Sequence, residues 1–149
     1  MVELLENTVK KIPNFAPGFD WLGMAYLQLK QFDKSIEMYR KAVELSDGLA
    51  EIKAGLGHAY GMAGRKEEAR KVLNELNSLA EKYYIPPVQI AYVAASLDEI
   101  DETFELLEKA YIERTWDLVF IREEPWFDDF HSLPRFVNLL KRIQFPGKE

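Results

Sequence analysis

The chain has 149 residues, with 25 acidic against 19 basic side chains, a net charge of −6 and no cysteine. Interspersed charges of both signs leave no basic footprint for nucleic acid, and the missing thiols exclude disulfides and thiolate metal centres. A chain of this length can bury a sizeable core as one domain or a short solenoid.

The first segment, Met1–Ile12, sets Val2, Leu5, Val9 and Ile12 at alternating three- and four-residue spacings, which predicts a helix. No basic, then apolar, leader precedes it, so cytoplasmic residence is expected. From Ala16 to Leu49 the pattern returns further along: Gly23 recurs as Gly57 and Tyr26 as Tyr60, a stride of 34 residues (57 − 23). The same stride carries Ser35 to Ala69, Tyr39 to Leu73 and Ala42 to Leu76, so large and small residues return to equivalent places. Pro17 suits a first helical turn, Asp33 is placed to cap the next helix, and Ser46-Asp47-Gly48 ends it. The second copy, 50–83, has Gly64 closing its first helix and a long second helix from about Lys66 to Lys82. The third, 84–117, is degenerate: Ala91 and Ala94 replace the glycine and tyrosine, Thr103, Leu107 and Ala110 keep phase, and Asp101 is the expected cap. Its first part, Tyr83–Leu97, is the longest run without an acidic or basic residue. Pro86-Pro87 interrupts it and it is too short to span a bilayer, so it reads as a core helix. Beyond Glu113 the register is expected to fail, since Pro125 falls where the next glycine would sit and proline breaks a helix.

Leu22-Gly23 with Tyr26, and Leu56-Gly57 with Tyr60, together with small residues later in each stride, resemble the tetratricopeptide repeat. The resemblance implies an all-α solenoid: helix-turn-helix pairs stacked into a right-handed superhelix, with capping helices at the C-terminal end. Physically, the glycines let the first helix of each pair approach its own second helix, and a single pair cannot bury its apolar stripe without a neighbour. One stride upstream, Leu5 matches Tyr39 and Pro13 matches Asp47, so 1–15 reads as half a repeat or as an N-terminal cap helix. The tail, 118–149, with the residues just before it, resembles one that closes such arrays in bacterial and archaeal signalling proteins. In it Trp116, Phe120, Trp126, Phe127, Phe130 and Phe136 are expected to plug the open end, a binding patch being the alternative.

In this family the first helix of each pair lines a concave groove. Carried over, that implies a partner-binding surface of Asp20, Trp21, Met24, Leu27 and Gln28 in repeat 1, Glu51, Ala54, His58 and Met62 in repeat 2, and Val88, Gln89 and Tyr92 in repeat 3. Such a largely apolar trough suits an amphipathic helix or apolar peptide; a helix of the same chain or a second copy, as a homodimer, is the other occupant. The lysine, asparagine and arginine with which some family members grip a free carboxylate are absent, replaced by Asp20, Met24, Ala54, His58, Val88 and Tyr92. No catalytic residue, metal site or cofactor is expected. The two histidines, His58 and His131, share no ligand spacing, Asp98, Glu99, Asp101 and Glu102 lack the calcium-loop pattern, and no strand precedes the glycines of repeat 2. The expectation is therefore a non-catalytic protein-interaction scaffold, with neither nucleic-acid binding nor membrane insertion. The alternative is the regulatory segment of a larger signalling enzyme or transcription regulator.

Overall fold

The computed structural model describes residues 1–143; the last six residues of the expected C-terminal cap lie outside the described residues. The chain folds as helices stacked in order: α1 (Val2–Lys11), α2 (Ala16–Gln28), α3 (Phe32–Leu45), α4 (Ala50–Met62), α5 (Lys66–Ala80), α6 (Pro87–Ser96), α7 (Ile100–Glu113) and α8 (Pro134–Arg142). Two 3-10 turns, Trp116–Phe120 and Pro125–Phe130, fill the gap before α8. Helices α2 with α3, α4 with α5, and α6 with α7 form antiparallel pairs, and α4 stands between α2 and α6 to make the inner layer.

Each pair turns on the same device. The chain leaves α2, α4 and α6 through a left-handed residue, Lys30 (φ 57°), Gly64 (φ 78°) and Asp98 (φ 57°). The amide three residues past each helix then reaches back to a carbonyl in its last turn: Gln31 to Tyr26, Arg65 to Tyr60, and Glu99 to Ala94. This is the Schellman arrangement, which satisfies carbonyls that a helix end leaves orphaned. It also brings the second helix in early, so the expected caps shift. Gln31 and Glu99 stand at the N-cap positions of α3 and α7 without side-chain capping bonds, and Asp33 and Asp101 lie inside the first turn, where their charge favours the helix dipole.

Amphipathic spacing on the outer helices buries Ile36, Tyr39 and Ala42 on α3, Ala69, Val72, Leu73 and Leu76 on α5, and Phe104, Leu107 and Ala110 on α7. The inner helices are enclosed on more sides, so α4 and α6 are apolar almost all round and nearly wholly buried. Close approach between them needs Gly61: a Cβ there would overlap Ser96 Oγ and come within 2.9 Å of the Ser96 carbonyl oxygen. At the N-terminal end α1 buries no residue fully. It rests on α2, with the Tyr26 hydroxyl donating to the Glu6 carboxylate.

The tail corrects the expected loss of register. Proline at 125 does prevent an α-helix and leaves a 3-10 turn, yet the phase survives. Arg135 pairs with Asp101 at 2.7 Å and Arg142 with Glu108, each across 34 residues, so α8 stacks on α7 as one repeat stacks on the last. The tail's Phe127, Phe130, Phe136 and Leu139 close the C-terminal core with Phe104, Leu107 and Leu118. Trp116 and Phe120 do not join that plug: they pair edge-to-face at the surface, 75% and 49% exposed.

Candidate functional site

The inner helices present Met24 on α2, His58 on α4 and Tyr92 on α6 at one place in successive repeats, and one further stride reaches Trp126 in the second 3-10 turn. These side chains build the centre of the concave face. The His58 ring, 4% exposed, donates from Nδ1 to the Tyr92 carbonyl at 2.7 Å, tying one repeat to the next. Burial pushes its pKa down to about 4, against a smaller opposing pull from that carbonyl, so the ring is neutral near pH 7 and carries its proton on Nδ1. Trp126 stands edge-on to His58 with ring centroids 4.1 Å apart and stacks on Tyr92 at 5.1 Å, while Phe127 tilts against Tyr92 at 5.4 Å. The middle of the groove is thus occupied by the protein's own tail.

Beside the tryptophan the face stays open. A trough of about 180 Å³ runs between α2, α4 and the second 3-10 turn, lined by Met24, Leu27, Phe32, Met62 and Trp126, with Lys30 and Asp128 at its rim. Met62 is 44% exposed, and Gln28 stands at the same edge. Trp21, half exposed near the middle of α2, packs edge-to-face with Phe15.

Two of the inner helices carry a carboxylate in their N-terminal halves, Asp20 on α2 and Glu51 on α4. Asp20, partly buried on α2, has its pKa raised to about 6 by burial first and then by the negative charge of Glu51 on α4. The Tyr92 hydroxyl is pushed well above its usual range by burial and by three carboxylates, those of Glu124, Asp117 and Glu51. Half-buried Glu124 is itself raised by burial, opposed by a hydrogen bond from the Trp126 indole. Asp117, 8% exposed, has an Oδ1 with no hydrogen-bond partner.

The residues expected along the groove divide. Asp20, Trp21, Met24, Leu27, Gln28, Glu51, Met62, Gln89 and Tyr92 keep at least part of their surface. Ala54 and Val88 are fully buried, which corrects the expectation for these two: they support the face from beneath; His58, nearly buried, still lines the trough. The stride of the array turns Ala54 and Val88 toward the neighbouring inner helix rather than the solvent. Sequence reasoning missed Trp126 as a groove residue. The signal was the continued spacing of Met24, His58 and Tyr92, hidden by the proline beside it.

Residues 16–48, which span α2 and α3, match the family model of the tetratricopeptide repeat. The chain contains a tetratricopeptide repeat, and its stacked helical pairs have the architecture of a tetratricopeptide solenoid. No curated protein matches the chain. Tetratricopeptide solenoids generally act through protein–protein interaction. Among the described residues, no group of three histidine or acidic side chains is arranged to hold a metal ion, and no helix is long and apolar enough to cross a membrane.

Proposed function

We propose that this protein is a non-catalytic cytoplasmic interaction module that receives an apolar peptide or the apolar face of a helix from another protein in the open part of its concave side. The trough between Met24, Leu27, Met62 and Trp126 carries this reading, because it remains open and oily although the tail fills the space next to it. Two methionines adapt to imperfect shapes, and a pocket of this depth suits one large apolar anchor, the kind of contact that dominates interface energy.

The test is binding of a labelled amphipathic helical peptide, leucine on one face and glutamine on the other, to wild type and to Met24→Glu and Met62→Glu. Binding weakened about tenfold or more by either charge, with unchanged helical circular dichroism, supports the trough. Binding indifferent to both charges, or none to wild type, overturns it. A concentration-dependent dimer that Trp21→Ala dissociates would assign the face to a second copy instead.

A further inference from the structure

The trough is lined by apolar side chains and also by His58, whose ring is only 4% exposed. Its Nδ1 is committed, donating to the Tyr92 carbonyl on α6 at 2.7 Å. A neutral imidazole carries one N–H, so that bond leaves Nε2 with a bare lone pair. The two ring nitrogens point away from each other. Because α4 stands between α2 and α6, Nε2 is turned from α6 toward the α2 side, where Met24 and Leu27 bound the trough. Among the described residues no group donates to Nε2, and it is not one of the polar atoms both sealed and unpartnered, which are Thr115 Oγ1 and Asp117 Oδ1. It is an acceptor open to the trough, among methionine, leucine, phenylalanine and tryptophan side chains. Closing such a site over an unpaired acceptor costs free energy that a matching donor recovers.

Size narrows the choice of donor. An apolar cavity of roughly 150 Å³ takes up benzene; at about 180 Å³ the trough has room for one six-membered ring and a polar atom beyond it. Leucine would leave the acceptor bare, and a lysine ammonium would have to shed its water among apolar walls. Indole carries its N–H on the flank of the ring, whereas a phenol carries its O–H at the tip. Resting on the reading of the trough as a docking site, we propose that the side chain entering it is a tyrosine of the partner segment, its ring against Met24, Met62 and Trp126 and its hydroxyl donating to His58 Nε2. The ring brings apolar area at low conformational cost, and the hydroxyl brings the one donor that the trough lacks. The walls supply affinity and the imidazole supplies selection, since phenylalanine would exclude water from Nε2 without replacing it.

Four helical peptides that differ only in a central anchor, tyrosine, phenylalanine, tryptophan or leucine, test this by titration against the full chain. The tyrosine peptide should bind about tenfold more tightly than the phenylalanine peptide, as one buried hydrogen bond allows, and more tightly than the other two. His58→Leu should erase the gap between tyrosine and phenylalanine. Because that change also removes the tie to Tyr92, the wild-type protein supplies a second readout: the nitrogen NMR resonance of His58 Nε2 should move further with the tyrosine peptide than with the phenylalanine peptide. Equal affinities for these two, with equal shifts at Nε2 and both bindings weakened by Met24→Glu, overturn the tyrosine and leave the trough standing. A tryptophan or leucine peptide that binds most tightly overturns it as well. Peptides that fail to bind, or that bind alike and ignore Met24→Glu, overturn the docking site itself.

Discussion

At the scale of single residues, two groups on the concave face titrate in opposite directions. His58 is neutral and buried, with a folded pKa of about 4 against 6.5 for a free side chain. The unfolded chain therefore takes up a proton first as the pH drops. Stability contributed by this residue is intact above about 6.5, declines as pH falls toward 4, and is fully lost below that, by roughly 3 kcal/mol. His58→Gln should flatten the acid side of a stability–pH curve, and the wild-type imidazole signals should titrate near 4 by NMR. A midpoint near 6.5 would show that the ring is solvated. Asp20 has the opposite sign: its folded pKa of about 6 exceeds the ordinary aspartate value of 3.8. Its charge penalises the folded state above 6 and not below 3.8. Asp20→Asn should therefore raise stability at pH 8 by about 1 kcal/mol, discounted for partial exposure, and by almost nothing at about pH 3. None of this could be read from the sequence, where His58 stood as an ordinary polar groove residue. Its burial depends on a tryptophan folded back from the tail.

At the scale of elements, the three turns between paired helices use one geometry with three different residues. Gly64 adopts the left-handed conformation freely, but Lys30 and Asp98 do so against the clash of their own Cβ. Lys30→Gly and Asp98→Gly should each stabilise by up to about 1 kcal/mol, read as a shift of the urea midpoint at constant slope. A loss on either change would mean that the Lys30 or Asp98 side chain matters more than the backbone relief. Asp98 tests this harder, since its carboxylate lies 3.7 Å from Lys66 Nζ in an exposed pair worth little. The helix pairs themselves were legible because Gly23, Tyr26 and their copies 34 residues on are packing residues, and packing repeats when a shape repeats. The caps were less legible. Asp33 and Asp101 have the right chemistry for N-caps, but the preceding turn delivers the chain to the helix two residues sooner. The tail was misread for a related reason: Pro125 forbids an α-helix without forbidding the phase, and the eye follows the missing glycine rather than the retained aromatic one place later.

At the scale of the whole molecule, a linear array touches only nearest neighbours, and its ends can open without disturbing its middle. Here Trp126 departs from that pattern, because an indole from the last turn rests on both His58 and Tyr92. Trp126→Ala should destabilise by about 3 kcal/mol, in line with loss of a large aromatic from a packed site. It should also lower the denaturant slope, as α8 and the 3-10 turns begin to unfold ahead of the repeats. A parallel shift with unchanged slope would show that the tail is tied to the array by α7 alone. The same substitution should lengthen the open trough toward Tyr92 and let larger apolar anchors enter.

That back-reaching indole turns a row of dominoes into something closer to a clasped bracelet. Hydrogen exchange should then find α4, α6 and the tail opening together, with α1, which buries no residue fully, as the loose strand outside the clasp.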